Sequence, residues 1–142
     1  MAQILSRLFG AYLLLTAIAV ALLFMITPLI HDGSPDYPIW TILNYFMALG
    51  AILMVVLTFL YRWKLDPQNT DNYTCAIANG LFYGSVVLLM LFFWQYFWLL
   101  DTSSETGDAA LSHTIYFPLV DAIYVVLGLI IGERLLRSGG QQ

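Results

Sequence analysis

Four long apolar runs leave this chain little choice but to fold within a lipid bilayer. They are Leu8–Ile30, Pro38–Tyr61, Tyr73–Leu100 and Ile115–Gly132. Each reaches or approaches the ~20 residues that a helix needs to cross a hydrocarbon core. Backbone N–H and C=O groups in that core must be satisfied inside the segment, which for runs of this length selects helices. Of the 142 residues, 61% are hydrophobic and only 10% charged, whereas soluble domains carry roughly 25% charged residues. So little chain lies outside the runs that no soluble domain of useful size is expected. The sequence therefore predicts an all-α integral membrane protein, a four-transmembrane-helix antiparallel bundle with short loops. It forms one domain over residues 1–142, with helices over about 8–30, 38–61, 73–100 and 114–133. The first run continues past the small residues Ala17–Ala21 to Ile30. That is too long for the apolar region of a signal peptide, so it is read as an uncleaved helix.

Charge gives the orientation. The five basic residues are Arg7 before the first run, Arg62 and Lys64 between the second and third, and Arg134 and Arg137 after the fourth. The alternate loops carry Asp32, Asp36, Asp101, Glu105 and Asp108 with no Lys or Arg. Cytoplasmic loops carry the excess of basic residues, so the arrangement predicts N-in/C-in, with both termini cytoplasmic. A bacterial inner membrane fits the size and the charge bias. The formal net charge of −4 excludes the basic footprint of a nucleic-acid binder. The single cysteine, Cys75, excludes an intrachain disulfide, and no cysteine spacing suggests zinc.

Helices in lipid associate by close approach at small residues. The third run carries Ala76-x3-Gly80-x3-Gly84 and the fourth carries Gly128-x3-Gly132, with Gly10 of the first run at a similar level. Gly80, Gly84, Gly128 and Gly132 are thus candidate helix-packing positions in the cytoplasmic half. The outer half of the third run is dense with aromatics, including Phe92, Phe93, Trp94, Tyr96 and Phe97. These suit contact with lipid or with a further membrane subunit.

Chemistry has few places to reside. Asp121 stands about six residues inside the outer end of the fourth run, roughly 9 Å deep at 1.5 Å per residue. A carboxylate there costs roughly 2.5–3.5 kcal/mol on insertion scales and should face the bundle interior or water. Asn44 and Gln95 reach a similar depth on the second and third runs. Antiparallel geometry therefore predicts one polar layer of Asn44, Gln95 and Asp121. It serves either as hydrogen-bonded glue that fixes helix register or as a small outward-facing pocket. His31 and His113 lie in the outer loops and are weak metal candidates, because they lack ligand spacing. No nucleophile, phosphate loop or acid/base dyad is recognisable. The sequence favours a non-enzymatic accessory or structural subunit of a larger membrane complex of respiratory, photosynthetic or membrane-oxidase type. Its partners would be the lipid bilayer and other membrane subunits or copies of itself, with no nucleic acid. The alternatives are a small oligomeric transporter or channel using the layer around Asp121, and a metal- or cofactor-bearing membrane enzyme subunit.

Overall fold

A computed structural model of the chain describes residues 2–30, 38–66, 68–100 and 115–138. Among them are four α-helices and no strand: α1 (Ala2–Ile30), α2 (Pro38–Trp63), α3 (Asn72–Leu100) and α4 (Phe117–Ser138). The first three are long and apolar enough to cross a membrane. The fourth is not, because every 18-residue stretch of it takes in Asp121, Glu133 and Arg134.

Local chemistry explains the helix boundaries. Pro38 opens α2 at the first helical position, where its missing N–H costs nothing. Pro118 likewise lies in the first turn of α4 and breaks no hydrogen bond in the helix interior. At α3 the Asp71 carboxylate accepts the backbone N–H of Thr74 at 2.9 Å, the geometry of an N-cap. The carboxylate of Asp66 accepts the N–H of Gln68 at 3.0 Å and closes the turn after α2. The observed α1 starts earlier than the apolar run and α4 ends later, since Ser6 and Arg134 both find partners in the bundle.

Each helix buries a stripe with alternating three- and four-residue steps. It runs Gly10, Leu13, Ala17, Val20 on α1 and Asn44, Met47, Ala51, Met54, Thr58 on α2. On α3 it is Ala78, Leu81, Ser85, Leu88, Phe92, Gln95, and on α4 Asp121, Tyr124, Gly128, Ile131. A mean step of about 3.5 residues is the spacing of left-handed helix packing. The core centres on Leu13, Val20, Met47, Met54, Leu88 and Tyr124.

Cross-helix pairs show that neighbours run antiparallel. Ser6 Oγ donates to the Leu135 carbonyl at 3.3 Å, while the Tyr124 hydroxyl donates to Thr16 Oγ1 at 3.1 Å. Phe59 meets Phe82, and Tyr45 meets Tyr96, at opposite ends of the α2–α3 seam. Gly84 faces Leu127 and Trp94 faces Tyr116 along α3–α4. The perimeter therefore runs α1–α4–α3–α2, and its fullest contacts are α1 with α4 and α2 with α3. Across the diagonal, Tyr124 of α4 fills the space beside Gly50 of α2.

Close packing of small residues lies between α1 and α4. A Cβ on Gly128 would stand 2.9 Å from Ala17 Cβ, and one on Gly132 would stand 2.9 Å from the Gly10 carbonyl oxygen. Gly84 makes an ordinary contact, since a Cβ there would lie 3.5 Å from Leu127. Gly80 differs from the sequence expectation, because it points out of the bundle and a Cβ added there would meet no heavy atom within 4 Å. The reason is register: the inward stripe of α3 passes through Ala78 and Leu81 and leaves Gly80 on the opposite face. At the same end, the Arg134 guanidinium donates to the Tyr61 hydroxyl at 2.9 Å and lies over that ring. Arg62 sits 5.2 Å from the ring centroids of Phe82 and Tyr83, and Glu133 pairs with Arg137 one turn on.

Candidate polar cavity in the helix bundle

The buried stripes place the polar residues. Asn44 is the first buried residue of the α2 stripe and Gln95 the last described on α3. Asp121 precedes Tyr124 by three residues and so faces inward with it. Because neighbouring helices are antiparallel, these positions meet at one end of the bundle. Asn44, Gln95 and Asp121 line a single cavity together with Phe92, Tyr96, Phe117 and Val120. The three polar residues are 8%, 5% and 6% exposed, which puts them among the core residues.

The cavity has about 10 Å³ of room for the centre of a water, space for about one molecule. An organic substrate does not fit. Among the described residues, none of the three polar side chains hydrogen-bonds to another protein group. Their polar ends keep a small accessible surface, which is the surface that the cavity provides. The layer expected from sequence is therefore assembled in space, but its members are not linked to one another as direct hydrogen-bonded glue.

Other buried hydroxyls behave differently and are satisfied within their own helices, a common solution for Ser and Thr. Thr58 donates to the Met54 carbonyl at 2.6 Å, Ser85 to Leu81 at 2.7 Å and Thr16 to Tyr12 at 2.9 Å. Tyr124 completes its hydroxyl through Thr16. An ionised carboxylate has no proton to give a helix carbonyl, and among the described residues the amides of Asn44 and Gln95 make no such bond, so Asn44, Gln95 and Asp121 depend on what occupies the space between them.

All five Lys and Arg residues lie at the other end of the bundle. Along α4, Glu133 stands twelve positions on from Asp121, or roughly 18 Å at 1.5 Å per residue. No Lys or Arg lines the cavity, so the carboxyl has no basic side chain from this group as a counter-charge. His31 and His113 lie outside the described residues. Among the described residues no three His, Cys, Asp or Glu side chains gather as a metal cluster.

Sequence reasoning missed two features of this region. Gly50 receives the ring of Tyr124, and its signal was only a glycine on a buried helix face. The aromatic wall of Phe92 and Tyr96 was legible as bulk but not as the cavity's lining. No family model, no curated protein and no solved structure matches this chain.

Proposed function

We propose that the protein is an N-in/C-in integral membrane protein with four crossings, serving as a non-enzymatic subunit of a larger membrane complex, in a bacterial inner membrane. The fourth crossing is supported by packing: α4 lies along α1 from Ser6–Leu135 to Thr16–Tyr124. The orientation is supported by the gathering of Arg7, Arg62, Lys64, Arg134 and Arg137 at one end. Cysteines introduced at Lys64 and Glu133, in a Cys75→Ser background, should resist a membrane-impermeant maleimide added to intact cells. Labelling of either without permeabilisation overturns the orientation.

One observation carries the subunit reading. The outer face of α3 presents Tyr73, Ala76, Gly80, Tyr83, Val87, Met90, Trp94 and Phe97. The spacing alternates three and four, and the notch at Ala76 and Gly80 is not filled by any of the described residues. Lipid tails solvate any apolar face, whereas a small-xxx-small notch in heptad register offers a second helix close approach. The predicted partner is therefore a transmembrane helix seated on α3. Mild-detergent purification should retain a stoichiometric membrane protein, and Gly80→Leu should release it while the bundle's own thermal stability does not fall. A wild-type protein that runs as a lone monomer sinks the reading.

A second reading, a small oligomeric transporter or channel, is favoured by the unpartnered polar groups around Asp121. The cavity's size limits its substrate to a small ion or a proton. In proteoliposomes this reading predicts cation flux that Asp121→Asn abolishes. Wild-type flux equal to that of empty vesicles, with ions of several sizes, counts against it.

A further inference from the structure

We propose that the cavity between Asn44, Gln95 and Asp121 binds one alkali-metal cation. The proposal deepens the ion-handling reading above, although a bound ion could equally serve a bundle that transports nothing.

The donor set defines the ligand class. Asn44 and Gln95 each offer an amide oxygen and Asp121 a carboxylate. Hard oxygen donors without imidazole or thiolate suit s-block cations rather than transition metals. Charge then selects valence. The two amides are neutral and the carboxylate contributes a single negative charge, so a monovalent ion gives a neutral site, whereas a divalent one leaves an uncompensated charge in an apolar bundle. Size agrees, because the cavity admits about one water, which is the scale of a dehydrated alkali ion.

The surroundings supply a reason to bind. The three side chains are more than nine-tenths buried, lack protein hydrogen-bond partners among the described residues and line the same space. The Lys and Arg side chains are at the far end. Phe92, Phe117 and Val120 give the cavity an apolar wall, so a counter-charge inside it acts in a lower dielectric than bulk water, where attraction is stronger. The ring of Tyr96 also borders the site.

The test uses the full-length protein in detergent, with thermal unfolding measured in LiCl, NaCl, KCl or choline chloride at equal ionic strength and fixed pH. At least one alkali ion should raise the melting temperature over choline, saturably. The expected rise is on the order of 10 °C at about 100-fold excess over Kd. Asp121→Asn should abolish the rise, and Asn44→Ala or Gln95→Ala should raise the apparent Kd by at least about tenfold. Glu133→Gln, which alters an exposed carboxylate, should respond as the wild type does. To separate loss of binding from loss of folding in Asp121→Asn, equilibrium binding of radioactive Na⁺ or Rb⁺ to wild-type protein gives a second reading, with saturation at one ion per chain expected. Equal melting in all four salts together with no saturable isotope binding overturns the proposal and leaves a water or a proton as the occupant. A rise that persists in Asp121→Asn also overturns it. Binding without flux in proteoliposomes would overturn the transport reading and leave the site standing.

Discussion

The contact between Gly50 and Tyr124 makes the most exacting test of the packing. A Cβ at Gly50 would overlap the Tyr124 hydroxyl outright and stand 2.9 Å from Cζ and 3.2 Å from Cε2. The ring cannot yield easily, since Tyr124 is fully buried and its hydroxyl is held by Thr16 at 3.1 Å. Overpacking of this kind costs about 1–3 kcal/mol. Replacing glycine in a helix also gains about 0.8–1.0 kcal/mol of propensity, so the net effect of Gly50→Ala alone understates the clash. Gly80→Ala provides the reference, because it brings the same gain with no heavy atom within 4 Å. The difference between the two variants isolates the clash and should be about 1–3 kcal/mol against Gly50→Ala. Tyr124→Phe removes one interhelical hydrogen bond, worth about 0.6 kcal/mol on average in a bilayer protein. It also removes the overlapping oxygen, so the double variant Gly50→Ala/Tyr124→Phe should be more stable than the sum of the singles by about 1 kcal/mol, within the range of coupling between residues in contact. Rescue is incomplete, because Cζ and Cε2 remain close. Unfolding of all four variants in mixed micelles, with SDS as denaturant, measures the cycle. Additivity to within about 0.5 kcal/mol would falsify the claim that Tyr124 occupies the Gly50 notch.

Other consequences follow from the same geometry. Gly132→Val should disrupt α1–α4, because even a Cβ there stands 2.9 Å from the Gly10 carbonyl; a lower melting temperature and faster proteolysis between helices should report it. Gly84→Ala should be tolerated, since its nearest neighbour is a flexible Leu127 terminus at 3.5 Å, and a melting temperature lowered by more than about 5 °C, roughly 1.5 kcal/mol in a domain of this size, refutes that packing. The Thr74 side chain, then its backbone N–H, holds the Asp71 carboxyl below its ordinary range. A depressed folded-state value means that the cap stabilises above the unfolded carboxyl's pKa, near ~4, and fades as pH falls through the folded value. Asp71→Asn should therefore flatten this acid limb of stability, while Asp71→Ala lowers stability at neutral pH as well. Identical pH profiles for wild type and Asp71→Asn would remove the carboxylate from the account.

The order of elements was legible because apolar length is a coarse signal that packing cannot hide. The cavity residues were legible for a related reason: Asn44, Gln95 and Asp121 are isolated polar groups in otherwise apolar helices, and depth along a helix can be counted from its end. Which face a residue takes is harder. Ala76-x3-Gly80-x3-Gly84 reads as one packing motif, yet Gly84 faces Leu127 and Gly80 faces outward. At about 3.5 residues per core turn, a four-residue step moves around the helix by enough to leave a narrow seam. Pairing was hidden for another reason. Small residues show where close approach is possible without naming the partner, so Gly128 and Gly132 could not be assigned to α1 until the perimeter order was known. The lack of direct hydrogen bonds within the polar layer was equally invisible, since it depends on how far apart the side-chain ends stand.

Pairing the first helix with the last has a bearing on how such a chain is made. α1 leaves the ribosome long before α4, and its groove around Gly10 and Ala17 stays without its native cover until Gly128 and Gly132 arrive. α4, with Asp121, Glu133 and Arg134, is the least able of the four to enter lipid unaided. As the proposed fourth crossing it would enter the bilayer along a surface that α1 has kept open, and the bundle would close only once α4 has been made. Chains truncated before α4 would present a small-residue groove to the membrane, a feature by which quality-control proteases could distinguish unfinished copies from finished ones.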